Sequence, residues 1–169
     1  MSTSGRSPAE TPPVVLAIDP GPTESAWALF EDGKPSHFAK VGNDHMAGFL
    51  RGLHPRITAV VIEKVESFGM AVGAEVFETV YWSGRFAEAA HPLPVHRIGR
   101  KAIKLHLCGS MRAKDTNIRQ ALIDRYGGPE AIGRKSNPGP LYGISGDVWS
   151  ALAVAVTFTD AHKEESNAA

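Results

Sequence analysis

The sequence predicts an α/β domain built on a mixed five-stranded sheet flanked by helices, and three observations predict it. Two short apolar runs, Val14 to Ile18 and Ala59 to Ile62, each stop at a single carboxylate, Asp19 and Glu63. Between them lie two further strand-like segments joined by a hairpin-type turn. After them, helical apolar spacing alternates with one more short strand. An antiparallel meander followed by strand, helix, strand and more helices gives a sheet whose later members run parallel.

Residues 1–13 are Ser, Thr, Pro and charge without apolar periodicity, and read as a disordered tail ahead of a domain over 14–161. Val14 to Ile18 reads as a buried strand because aliphatic and β-branched residues run without polar interruption. Pro20-Gly21 forces a turn directly after it, so Asp19 is expected at the strand's carboxyl edge. Ala26 to Phe30 and Ser36 to Val41 are the next strands, turned at Asp32-Gly33. Asp44 is expected to cap a helix that carries Met46, Phe49, Leu50 and Leu53 on one face, ended by His54-Pro55.

Ile57 to Ile62 is the fourth strand, and Val72 to Ala90 is a long helix whose broad apolar side comprises Val76, Phe77, Val80, Tyr81, Gly84 and Ala87. Pro94 to Ile98 is the fifth strand. A helix from Asp115 to Tyr126 turns Ile118, Ala121 and Leu122 inward, and the Gly- and Pro-dense stretch 127–146 reads as an extended loop. A last helix starts at Asp147 with Val148, Ala151, Leu152, Ala155 and Val156 as a small apolar face, and 162–169 reads as a polar tail.

Hydrophobic residues make up 43% of the 169 and charged residues 21%, the balance of a soluble globular domain. No apolar run reaches membrane-spanning length, and the first residues lack the basic-then-apolar order of a signal peptide. A soluble intracellular protein without a membrane partner is expected. The single cysteine, Cys108, excludes an internal disulfide framework and reads as a small buried apolar residue. The seven histidines show no pairing with Cys or acids that suits zinc.

Net charge is zero, yet the segment from Arg97 to Arg119 holds seven basic residues (Arg97, Arg100, Lys101, Lys104, Arg112, Lys114, Arg119) against one acid, Asp115. A local basic patch on a neutral chain suits phosphate-backbone contact at one face. A solvated helix face is the plain alternative.

If the strands ending in Asp19 and Glu63 lie side by side, both acids emerge at one sheet edge, close enough to hold one cation. Asp147 projects a third carboxylate from the start of the final helix if that helix packs across the strand ends. Such acids suit Mg²⁺ or Mn²⁺, and two ions roughly 3.5–4 Å apart can activate a water and stabilise the leaving oxygen in phosphodiester hydrolysis. Each acid also has a plain structural use: Asp-Pro-Gly is a common turn, and Asp is a preferred helix cap.

Ile18-Asp19-Pro20-Gly21, then Val61-Ile62-Glu63, then Lys104 with Gly109 to Asp115, then Asp147 to Ala153 resemble, in order, the motifs of RuvC-type Holliday-junction resolvases, and most of all their bacteriophage and prophage members. The resemblance spans Val14 to about Thr159. It implies a ribonuclease H-like fold, a homodimer, and Mg²⁺-dependent (Mn²⁺ as substitute) paired nicking of four-way DNA junctions in the cytoplasm of a bacterial or phage-infected cell. By position, Asp19, Glu63 and Asp147 match the catalytic carboxylates, and the resemblance implies places for two ions completed at Ser150, where the family commonly has a fourth acid. Ser is a weaker, neutral ligand, and Glu66 is a nearby acid able to compensate.

The resemblance also assigns Phe68 and Met70, in the loop after Glu63, a wedge role at the junction's open centre, where apolar side chains stack on exposed bases. Core packing of Phe68 is the alternative. Lys104, Arg112 and Lys114 become phosphate contacts, with Arg100 and Lys101 in the same patch, and Lys104 a candidate for stabilising developing charge. Two other functions stay open: a junction-binding protein with little or no cleavage, suggested by Ser150, and a related nuclease acting on RNA or other branched DNA.

Overall fold

The computed structural model describes residues 12–168; of the N-terminal tail expected over 1–13, all but Pro12 and Pro13 lie outside the described residues. Strands β1 (Val15–Asp19), β2 (Glu24–Glu31) and β3 (Lys34–Gly42) form the antiparallel meander. Strands β4 (Ala59–Lys64) and β5 (Val95–Gly99) run parallel to β1 on its other side, giving the order β3-β2-β1-β4-β5. The mixed five-stranded sheet read from the sequence is the one observed.

β1 is central, and Val15 to Ile18 have no exposed surface. Leu16 and Ile18 point to one face, where α1 (Asn43–Arg51) and α2 (Ala74–Ala89) cover them with Met46, Leu50 and Phe86. Val15 and Ala17 point to the other, under α3 (Arg100–Cys108), α4 (Asp115–Arg125) and α5 (Val148–Ala168). α5 is buried from Val148 to Thr159 except at the half-buried Ser150, so it is covered nearly all round and not only along the small apolar face expected. Small side chains at Ala17, Ala26 and Ala28 on the sheet and Ala151 and Ala155 in the helix allow a close approach, which delivers the start of α5 to the carboxyl edge of β1. Among the described residues no helix is long and apolar enough to cross a membrane.

Several expectations change. Asp44 does not cap α1: the cap position is Gly42, and no side chain bonds the helix start. The neighbouring Asn43 is buried instead. Its Oδ1 accepts from Ser25 Oγ at 2.7 Å, its Nδ2 donates to the Gly21 carbonyl at 2.9 Å, and its backbone N–H donates to Thr23 at 3.0 Å. Asn43 thus ties α1 to the turn that follows Asp19. Asn43→Ala leaves these buried groups without partners and is expected to cost about 1–3 kcal/mol of stability. Urea unfolding checks this, and a loss under about 0.5 kcal/mol would show that the turn stands without it.

α3 lies inside the basic segment and was not anticipated as a helix. The stretch 127–146 contains a 3-10 turn at Pro129–Ala131 and a small hairpin, β6 (Gly133–Arg134) with β7 (Asn137–Pro138), and it plugs Leu141 and Ile144 into the core. α5 continues to Ala168 through the expected tail, with the His162 ring 4.1 Å from that of Phe158. Cys108 is half-buried. The broad apolar side of α2 is not in the core: Ser83, Phe86 and Ala89 face inward, whereas Phe77 is 64% exposed and Val80 and Tyr81 are also open.

Candidate active site

Pairing between β1 and β4 runs in parallel register to Ile18 opposite Ile62, so the next residues, Asp19 and Glu63, leave the sheet at one edge. Both follow a side chain that faces α1 and α2, and so both face α5. The chain must turn hard after Asp19; a Cβ at Gly21 would run into the Glu24 carbonyl, which explains glycine there. The Asp147 carbonyl opens α5, accepting from the N–H groups of both Ser150 (3.0 Å) and Ala151 (3.1 Å), and its side chain stands at the helix start.

The three acids feel one another. Burial, then the charges of Glu63 and Asp147, push the Asp19 carboxyl up to about 8, only partly relieved by Arg100 and Lys40. Burial also raises Glu63, against the opposing pull of Arg100. Three oxygen donors with too little positive charge among them are the ligand type that Mg²⁺ or Mn²⁺ takes.

Each of the outer acids is drawn to its own basic partner. Lys40 Nζ, from β3, donates to Asp147 Oδ2 at 2.7 Å. Arg100, the first residue of α3, donates through Nη1 to Glu63 Oε2 at 3.2 Å and to Ser150 Oγ at 3.4 Å, and through Nη2 to Asp115 Oδ1. Among the described residues no three His, Cys, Asp or Glu side chains converge in a way that could hold an ion. The expected set of Asp19, Glu63, Asp147 and Ser150 is gathered around one region, with Asp147 engaged by Lys40 and Glu63 and Ser150 engaged by Arg100.

Two open cavities flank Arg100. One, of about 230 Å³, is lined by Asp19, Glu63, Glu66 and Phe68; the other, of about 420 Å³, by Asp115, Asp147 and Ser150. Glu66 therefore belongs to the site. Its carboxylate packs over the Gly99 backbone, Oε1 lies 3.9 Å from Lys64 Nζ, and Oε2 is buried without a hydrogen-bond partner.

Arg100, expected on a DNA-facing surface, is instead inside the acid cluster, its side chain 18% exposed. Lys104, expected beside the acids, is one helical turn further along α3, about 6 Å up the axis, and lines neither cavity. α3 starts directly where β5 ends, so only its first turn meets the site. Lys101, Arg112 and Lys114 are exposed. Phe68 and Met70 project from the loop after β4, and Phe68 is itself 54% exposed, so it is not a core residue; its ring lies 4.9 Å from Lys101 Nζ. Sequence reasoning missed Lys40 and the roles of Asp115 and Asn43. No local pattern marks them, because each acts on a partner brought near only by the fold.

The structure of Thermus thermophilus RuvC superposes with a TM-score of 0.65 at 21% identity, over 89% of this chain and 96% of that one. The fold is that of RuvC. T. thermophilus RuvC in complex with a Holliday junction substrate matches with a TM-score of 0.63 at 22% identity, covering 85% and 91%. The yeast mitochondrial Holliday junction resolvase Ydc2 matches at 0.55 and 13%, covering 90% and 82%. No protein-family model and no curated protein matches the chain. The RuvC fold is ribonuclease H-like, as the sequence motifs implied.

Proposed function

We propose that this chain is a metal-dependent endonuclease that resolves four-way DNA junctions by paired symmetric nicks. The observation that carries the reading is the Asp19 carboxyl, held between Glu63 and Asp147 at the carboxyl edge of a RuvC-type sheet. Asp19, Glu63 and Asp147 would hold a divalent cation, which would supply Lewis acidity and a nucleophilic water for attack on a phosphodiester. Mg²⁺ is the proposed ion, with Mn²⁺ as substitute. Exposed Lys101, Arg112 and Lys114 offer phosphate contacts around the site, and Phe68 and Met70 offer apolar surface for unpaired bases at the branch point. The test is nicking of a labelled immobile four-way junction with Mg²⁺, Mn²⁺ or chelator. Paired nicks that require metal support the reading. Preference for flap or RNA substrates would replace it with a related nuclease activity.

A second reading has its own observation: Ser150 is neutral, and Lys40 and Arg100 already pair with two of the acids. Junction binding without nicking under every metal would favour a binding protein.

Cutting two symmetric strands needs two sites, and we place the second in another copy of the chain. Phe77, Val80 and Tyr81 lie on one exposed stripe of α2, an apolar surface suited to a two-fold contact. Phe77→Asp with Tyr81→Asp is expected to convert a dimer into a monomer at micromolar concentration in sedimentation. A wild-type monomer under the same conditions would remove the dimer from the proposal.

A further inference from the structure

The two basic side chains that meet the acids differ in kind. Lys40 is at the rim, and it and Asp147 are each about half exposed, so water screens the pair. Arg100 is largely enclosed and fully engaged, with Glu63 and Ser150 on one guanidinium nitrogen and Asp115 on the other. It forms part of the wall of both cavities and so stands between the Asp19–Glu63 side of the site and the Asp147–Ser150 side.

Ser150 and Arg100 are consistent with one another. A hydroxyl adds no negative charge, and the neighbouring guanidinium carries a positive charge that no working pH removes. Its planar donors hold Glu63 and Ser150 in fixed directions. A divalent ion entering between Glu63 and Ser150 would have to displace these bonds and would face a like charge a few ångströms away. Glu66, the remaining acid of the first cavity, lies near Lys64 and is packed against the Gly99 backbone.

We propose that the Arg100 guanidinium is a built-in second cation: held between Glu63 and Ser150, it fills the place of a second divalent ion, so that the site takes one divalent cation, on Asp19 and its neighbouring carboxylates. The donor set thus disagrees with the two ions implied by the sequence resemblance. This inference rests on the site being cation-dependent, but ions are counted without turnover, so the two ideas fail separately.

The experiment is a titration of the full chain with Mn²⁺, free ion read by electron paramagnetic resonance and binding by calorimetry. Wild type and Arg100→Lys are expected to bind one Mn²⁺ per chain. Ser150→Asp alone is expected to stay at one, because Arg100 pairs with the new carboxylate. The double variant Arg100→Gln, Ser150→Asp is expected to bind two. Two ions on the wild type overturn the inference, as does a single ion on a double variant whose circular dichroism is native. The wild-type count decides the matter even if a variant fails to fold. No binding by wild type would sink the cation-dependent reading and this inference with it, whereas two ions sink this inference alone.

Discussion

Asp19→Asn is expected to lower junction nicking by at least about a thousandfold, the loss of roughly 4 kcal/mol of charge stabilisation, while leaving junction binding within about twofold. The rate falls because Asp19 is the acid that faces both others, and an amide oxygen cannot hold a hard cation in the same way. Binding persists because the exposed basic groups proposed to meet DNA, Lys101, Arg112 and Lys114, line neither of the two cavities beside Arg100. The same change is expected to stabilise the metal-free protein by about 0.5–2 kcal/mol, the usual trade at a site strained for function. In the unfolded chain Asp19 is ionised, and folding must either bury that charge beside Glu63 and Asp147 or protonate it, a cost that the neutral amide avoids. Nicking assays, junction gel shifts and thermal melts of the two proteins check all three. Normal nicking by the variant would remove Asp19 from the site, and a lower melting temperature would show that its carboxylate is structural.

Much of this was readable from the chain because the decisive features are local. β1 and β4 are unbroken apolar runs, and an acid followed by a turn marks where each leaves the sheet. α5 announces itself by a dense apolar segment after Asp147. What was not readable depends on distance. Lys40 meets Asp147 across 107 positions of sequence, and Arg100 meets Glu63 across 37. Nothing in the basic segment distinguishes Arg100, which turns inward, from Lys101, which does not, until the junction of β5 with α3 is known. α3 itself was hidden because Ile103 is its only fully buried residue among several charged ones. The apolar side of α2 was legible as apolar but not as exposed, because periodicity reports that a face is apolar and is silent on what covers it.

The metal-free protein is expected to lose stability as the pH rises from about 5 to about 8, a direction opposite to that of an ordinary paired carboxylate. In the unfolded chain Asp19 ionises near 3.8, whereas in the folded protein its carboxyl keeps a proton up to about 8. Across this window the folded state binds more protons than the unfolded state, so stability is full below the unfolded value and drains as pH climbs through the folded one. Burial moves Glu63 in the same direction. Asp160, held low by Arg125 and His106 against its own burial, has the opposite sign, but its contribution is lost only as pH falls through the acid range, below the window. Over three pH units the ceiling is about 4 kcal/mol at ~1.36 kcal/mol per unit, and water in the open cavity reduces it to about 2–3 kcal/mol. Urea midpoints at intervals across the range measure it. Asp19→Asn is expected to flatten the slope, and millimolar Mg²⁺ to restore stability at the alkaline end, since a bound cation replaces the proton. A stability that holds level or rises with pH in the absence of metal would mean that Asp19 is already ionised in the folded chain, with Arg100 and Lys40 supplying all the positive charge the three acids need.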